Sequence, residues 1–124
     1  ALQSQGQILA EINGCLGLIT LNRAQALNAL SLAMIRDISA LLRHWAEQPA
    51  VQAVVIIGVG REGKPAAFCA GGDIRFFHQA ALAGNPALED FFTEEYALNH
   101  LVFTYRWWPT GHLDNACFCW HADA

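Results

Sequence analysis

The run Ala67-Phe68-Cys69-Ala70-Gly71-Gly72-Asp73-Ile74-Arg75 holds the residue types best suited to chemistry in this chain. An apolar stretch comes before it and a helix-like segment follows. The two glycines let backbone come close to a ligand, and an acid then opens the helix. Such a junction aims backbone N–H groups at a developing negative charge. The plainer reading is a glycine-rich turn with Asp73 capping a helix. It uses the same geometry, and the two are compatible.

Other residues offer chemistry with less support. Glu94-Glu95 lies on an otherwise aromatic helix-like segment. The pair is either a solvated face or has one carboxylate turned into a pocket to bind a substrate hydroxyl. Cys69 as a nucleophile would need a nearby base and a lowered pKa, and its neighbours Phe68 and Ala70 supply neither. Its backbone N–H is the more useful group. Cys117-x-Cys119-x-His121, with His112 and Asp123 nearby, is too closely spaced for a structural zinc site and lacks a second ligand pair, so no metal is expected. Gly58-Val59-Gly60-Arg61-Glu62-Gly63 matches the dinucleotide fingerprint as a string. However, Lys64-Pro65 follows where a helix would have to open, so a strand-to-loop turn is expected.

The elements that must position these residues read as follows. Residues 8–12 and 15–21 are apolar runs separated by Asn13-Gly14, a strong hairpin signal. Ser31 reads as an N-cap, after which Leu32, Ile35, Ile38, Leu42 and Trp45 fall on one helical face until Pro49. Residues 51–59 are strand-like, and Val54-Val55-Ile56-Ile57 is apolar on both faces, which suits a strand covered on both sides. Helices are expected over 73–83 and 88–105, with a break at Gly84-Asn85-Pro86. Cys15 and Cys69 sit in apolar contexts and read as small core residues. This order of elements argues for an α/β architecture.

The chain has 124 residues, 54% of them hydrophobic and 15% charged, which excludes a disordered tail or a coiled coil. Its formal net charge of −4 disfavours nucleic acid or an anionic membrane as partner. The apolar stretch 53–59 is too short to span a bilayer, and the first residues lack a signal-peptide pattern. An intracellular, cytoplasmic protein is expected.

Three segments together resemble the crotonase (enoyl-CoA hydratase/isomerase) superfamily. They are Leu21-Asn22-Arg23-Ala24-Gln25-Ala26-Leu27-Asn28-Ala29-Leu30, the strand over 51–58, and the run 67–75. Phe68-Cys69-Ala70-Gly71-Gly72-Asp73-Ile74-Arg75 and Phe91-Phe92-x-Glu94-Glu95-Tyr96-x-Leu98-Asn99 are similar to its 3-hydroxyisobutyryl-CoA hydrolase branch. The resemblance covers about residues 8–105. It implies the N-terminal part of a spiral of ββα turns that binds acyl-CoA thioesters. It needs no cofactor, since coenzyme A enters as part of the substrate, and it implies a mitochondrial matrix location if the source is eukaryotic. In that family two backbone N–H groups hold the thioester oxygen as it gains charge. The resemblance assigns the first to Cys69. It also lines the CoA and pantetheine path with Gln25, Ala26, Leu27, Ala67, Phe68, Ala70, Gly71, Gly72, Asp73 and Ile74. Gln25 stands where many relatives carry Lys. Glu95 matches a substrate-contacting glutamate.

After Tyr105 the chain departs from the pattern. The family's second glycine cluster and its acid, base or nucleophile carboxylates have no counterpart here, and relatives are more than twice as long. Residues 1–105 therefore read as the N-terminal part of an acyl-CoA domain and 106–124 as an atypical tail. Trp has a single codon. Read one base earlier, Trp107-Trp108-Pro109-Thr110 yields an apolar residue, then Val-Ala, as a relative's strand does. A shifted reading frame is the expectation, and the nucleotide sequence over codons 100–124 checks it. The parent activity implied is hydrolysis of a 3-hydroxyisobutyryl-CoA-like thioester. The alternatives are an enoyl-CoA hydratase or isomerase, and a non-catalytic acyl-CoA-binding fragment. An interrupted spiral exposes apolar edges, which leaves room for a homo-oligomer.

Overall fold

A computed structural model describes residues 2–64, 69–104 and 117–122. Strands β1 (Ile8–Asn13) and β2 (Leu16–Leu21) form an antiparallel hairpin in which Asn13 pairs with Leu16. The turn residues are thus Gly14 and Cys15, one position later than the Asn-Gly signal suggests. Gly14, at φ +62°, stands at the first central position, which a type II′ turn reserves for glycine. Cys15 therefore lies exposed in the turn, not in a strand's core face as its apolar neighbours suggest.

Helix α1 (Leu32–Ala46) starts as expected. The Ser31 hydroxyl accepts from the Met34 N–H at 3.2 Å, satisfying a donor that the first turn leaves free. Ile35, Ile38, Leu42 and Trp45 are buried and share one core with Ile19, Leu21, Val54 and Ile56. Gly17 in β2 is bare because a Cβ there would lie 2.5 Å from the Trp45 ring. Midway along α1, the buried Asp37 also holds residues 3 and 4. The Asp37 carboxylate accepts from the N–H groups of Gln3 and Ser4 at 2.7 and 2.8 Å.

Strand β3 (Ala53–Gly58) pairs parallel with β2, Val54 opposite Gly17 and Ile56 opposite Ile19. Val54 and Ile56 are buried, whereas Val55 and Ile57 are only half-buried. Among the described residues, then, one face of this apolar strand is closed, where the sequence suits closure of both. After β3 the chain enters a loop with a turn at Arg61–Lys64, and no helix opens at Gly63. Residues 65–68, through which the fingerprint's helix would run, lie outside the described residues.

Helices α2 (Ile74–Ala83) and α3 (Ala87–Thr104) follow. Gly84 ends α2 at φ +63°, and the Asn85 side chain accepts from the Ala87 N–H at 2.9 Å to open α3. α3 buries Phe91, Leu98 and Leu101, and Phe76, Phe77, Phe91 and Phe92 stack where α2 meets it. Strand β4 (Cys117–Ala122) pairs parallel with β3, completing the order β1-β2-β3-β4. Its sequence shows no apolar period. Pairing depends on backbone groups, which the free edge of β3 offers to any extended segment. Residues 107–110, on which the frame-shift expectation rests, lie outside the described residues, as do His112 and Asp123. The architecture is α/β, as expected.

Candidate functional site

Two loops distant in sequence meet at the end of the parallel pair. The first runs from Arg23 through a short 3₁₀ turn (Ala24–Ala26) to Leu30. The second is the glycine turn 69–73. They join as a parallel bridge at Leu30 and Gly72. The Ala70 N–H donates to the Leu27 carbonyl at 3.0 Å, the Leu30 N–H to the Gly71 carbonyl at 2.8 Å, and the Asp73 N–H to the Leu30 carbonyl at 3.1 Å.

Side chains lock this bridge. Asn28 is fully buried. Its carbonyl oxygen accepts from the Arg23 N–H at 2.9 Å, and its amide donates to the Val59 carbonyl at 3.0 Å. It holds the first loop against the end of β3. Leu27 and Asn28 both have left-handed backbone, φ +54° and +57°, which is uncommon for leucine. Arg23 donates to the Ala29 carbonyl and to an Asp73 carboxylate oxygen, each at 2.9 Å. The other Asp73 oxygen accepts from the Arg75 and Phe76 N–H groups. Burial pushes the Asp73 carboxyl up, but Arg23 and the two amides together outweigh it, and it ends below the usual carboxylate range.

The Asp73 carboxylate takes the Arg75 and Phe76 amides and its carbonyl takes that of Phe77, while the Gly72 and Ile74 amides have no described acceptor. The Gly71 N–H donates to the Cys69 sulfur at 3.3 Å, and those of Ala70 and Asp73 are also in use. Among the described residues, none accepts from the Cys69 N–H. The amide singled out by sequence is therefore a donor without a described acceptor in the turn.

A cleft of about 260 Å³ opens beside the bridge. Gln25, Ala26, Leu27, Ala70, Gly72, Asp73 and Ile74 line it, together with Arg23, Ala29 and Arg75. Cys69 and Gly71 belong to the same turn. Ala67 and Phe68 lie outside the described residues. Leu27 and Ile74 are exposed at 41% and 75%, giving the cleft apolar lips. The Arg23–Asp73 pair and Asn28 had no signal in the chain, because their partners are up to 50 residues away. Arg75 is exposed, and its guanidinium has no partner among the described residues.

Glu94 and Glu95 separate cleanly. Arg36 of α1 holds Glu94 through both carboxylate oxygens, Nε and Nη2 each at 2.9 Å. That bond holds the Glu94 carboxyl below its usual range. Glu95 turns the other way. A Cβ on Gly72 would stand 3.1 Å from its Oε1. Its charge also reaches the Cys69 thiol. Burial is the main cause that raises the Cys69 pKa; the Gly71 N–H opposes this, and Glu95 adds to it. Cys69 is thus a protonated thiol at neutral pH, unsuited to attack. Its alkylation by iodoacetamide, followed by peptide mass spectrometry against pH, is expected to have a midpoint above that of an ordinary thiol. Glu95→Gln should lower that midpoint. An unchanged midpoint would place Glu95 away from the turn.

Among the described residues no group of three His, Cys, Asp or Glu is arranged to hold a metal, and no helix is long and apolar enough to cross a membrane.

The chain matches the family model described as enoyl-CoA hydratase/isomerase over residues 16–108. It is 52% identical over 101 residues to the mitochondrial 3-hydroxyisobutyryl-CoA hydrolase of Xenopus tropicalis, covering 82% of this chain and 25% of that protein. It is 48% identical over 96 residues to the Homo sapiens protein of the same name, covering 77% and 24%. The chain thus spans about a quarter of the length of these relatives. Among solved structures, an enoyl-CoA hydratase from Rhodobacter sphaeroides 2.4.1 superposes with TM-score 0.72 at 42% identity, covering 81% of this chain and 29% of that one. A carnitinyl-CoA dehydratase from Mycobacterium thermoresistibile superposes with TM-score 0.68 at 35% identity, covering 81% and 28%.

Proposed function

We propose, for a chain that belongs to the enoyl-CoA hydratase/isomerase family, that the cleft between residues 23–30 and 69–75 binds an acyl-CoA thioester. The parent activity is hydrolysis of 3-hydroxyisobutyryl-CoA-like thioesters to the free acid and CoA. One observation supports this most directly. The two loops that the family resemblance assigned to the CoA path line a single cleft, and Cys69 directly precedes Ala70 in its lining.

The chemistry follows from that amide. Attack on a thioester puts negative charge on the carbonyl oxygen. A fixed N–H in a water-poor pocket stabilises that charge, one donor being worth about 3 kcal/mol. Cys69 supplies one such donor, Glu95 contacts the 3-hydroxyl of the acyl group, and the lips Leu27 and Ile74 flank the pantetheine arm. Arg75 supplies the cation for a CoA phosphate that Gln25 cannot. The family resemblance places the carboxylates that act as acid, base or nucleophile beyond the matched segment, so we expect residues 1–124 by themselves to bind without turnover. The mitochondrial names of the relatives support a matrix location if the source is eukaryotic.

Titration calorimetry with CoA, isobutyryl-CoA and 3-hydroxyisobutyryl-CoA tests the reading. The hydroxyacyl thioester should bind most tightly. In isotope-edited infrared spectra its thioester C=O stretch should fall on binding, as the carbonyl is polarised. Arg75→Gln should weaken all three ligands roughly two- to fivefold, and less at high salt. Equal, negligible heats for all three ligands would sink the proposal.

The hydratase names of the structural neighbours favour a second reading, with the same cleft serving an enoyl-CoA. Tighter binding of crotonyl-CoA than of the hydroxyacyl ligand would select it. A non-catalytic acyl-CoA-binding role predicts equal affinity for all acyl groups.

A further inference from the structure

We infer that Arg36, through its two-pronged hold on Glu94, is a positioning residue that keeps the neighbouring Glu95 carboxylate against the Gly72 turn. The inference rests on the proposed role of Glu95 and names what orients it.

The seam of α3 shows why an orienting device is needed. Phe91, Leu98 and Leu101 form its buried stripe, and residues 94 and 95 fall where the next apolar side chain would sit. Consecutive helical residues project about 100° apart, so the two carboxylates leave the seam on opposite sides. One meets α1 and the other meets the turn before α2. Among the described residues, nothing donates a hydrogen bond to the Glu95 carboxylate, so its direction depends on how α3 is rotated about its axis. Phe77 stacks on Phe92 and Phe91 meets both edge-on; these contacts limit that rotation but tolerate small slips, since aromatic pairs hold over a range of offsets and separations. The planar Arg36 fork does not, because both N–H groups must meet both oxygens at once. Arg36 and Glu94 are about a third or more exposed, so the pair contributes little to stability. Its value is directional.

Two readouts test this on the chain as it stands, using Glu95→Gln, Glu94→Gln, Arg36→Met and the swap Arg36→Glu with Glu94→Arg. The first readout is the ratio of dissociation constants for isobutyryl-CoA and 3-hydroxyisobutyryl-CoA, which reports the 3-hydroxyl contact alone. Glu95→Gln should cut the ratio roughly tenfold, the loss of a hydrogen bond to a charged group. Arg36→Met and Glu94→Gln should cut it roughly threefold, and the swap should restore most of it. The second readout needs no ligand. The midpoint of Cys69 alkylation should move in Arg36→Met and Glu94→Gln in the same direction as in Glu95→Gln.

The outcomes separate the claims. If Glu95→Gln leaves both readouts unchanged, the role of Glu95 and this inference both fall. If it moves them while Arg36→Met and Glu94→Gln do not, the inference alone is overturned. Equal weakening of both ligands by Arg36→Met, with the ratio and the Cys69 midpoint unmoved, marks the pair as merely structural and also overturns it. If no acyl-CoA binds the native chain, the proposed function falls and the alkylation readout still decides the orientation. The mild Glu94→Gln change preserves the test should Arg36→Met fold poorly.

Discussion

Asn28→Ala is expected to destabilise the fold by about 3–5 kcal/mol, measured by urea or thermal denaturation. Asn28 is fully buried, and its side chain bonds the Arg23 N–H and the Val59 carbonyl. Alanine leaves the part-buried Arg23 N–H and Val59 carbonyl unpaired, each costing about 1–2 kcal/mol, the lower part of the range for fully buried groups. It must also adopt φ near +57°, which costs a non-glycine residue lacking a local polar side chain about 1 kcal/mol more. For a domain with a total stability of about 5–15 kcal/mol, this is a large fraction. Asn28→Gly separates the two causes: it keeps the lost hydrogen bonds and removes the backbone strain, so it should recover about 1 kcal/mol relative to alanine. A loss below about 1 kcal/mol for Asn28→Ala would mean that the first loop is held by something else.

Gly72→Ala is expected to have the largest effect on ligand binding for its size. The added carbon would lie 2.7 Å from Cζ of Phe77 and 3.1 Å from Oε1 of Glu95. Neither neighbour gives way cheaply. The Phe77 ring stacks on Phe92 at 4.9 Å and meets the fully buried Phe91 edge-on at 4.8 Å. Retreat of Glu95 would abandon the site. The turn itself must therefore shift, with an overpacking cost of about 1–3 kcal/mol. Because Gly72 forms the bridge to Leu30 and lies three residues after Cys69, that shift misplaces the amide donor too. Affinity for 3-hydroxyisobutyryl-CoA should fall roughly tenfold or more, while CoA alone should lose less. Equal weakening of both ligands would indicate that Gly72 shapes the cleft without shaping the thioester end of it.

Much of the site is legible in the amino-acid sequence. Glycine at 71 and 72, with aspartate at 73, predicts a tight turn into a capped helix. The reason is local: φ of +94° at Gly71 excludes a side chain, and a short carboxylate two residues before an amide makes a cap. Ser31, Gly84 and the apolar stripe of α1 were readable for the same reason. The misreadings also have local causes. The hairpin turn moved one residue because both Asn-Gly and Gly-Cys offer a glycine, and only pairing register chooses between them. Cys15 followed the turn out to solvent. β4 gave no periodic signal, and strand pairing needs none, since backbone groups suffice for it.

The order of elements, the caps and the kind of turn at residues 69–73 are properties of neighbours in the chain, set by propensity, φ limits and reach of short side chains. What each group then faces is a property of residues far apart. Helical spacing does not tell Glu94 from Glu95, and only the family resemblance singled out Glu95; in the fold Arg36, 58 residues away, takes Glu94 and leaves Glu95 to the turn. Nor does anything local announce that Arg23 joins Asp73 at the helix N-terminus, or that the Cys69 amide stays without a described acceptor while those of Ala70, Gly71 and Asp73 are taken. Charge pairing and amide satisfaction are settled by which segments packing brings within about 3 Å, and only the folded chain decides that.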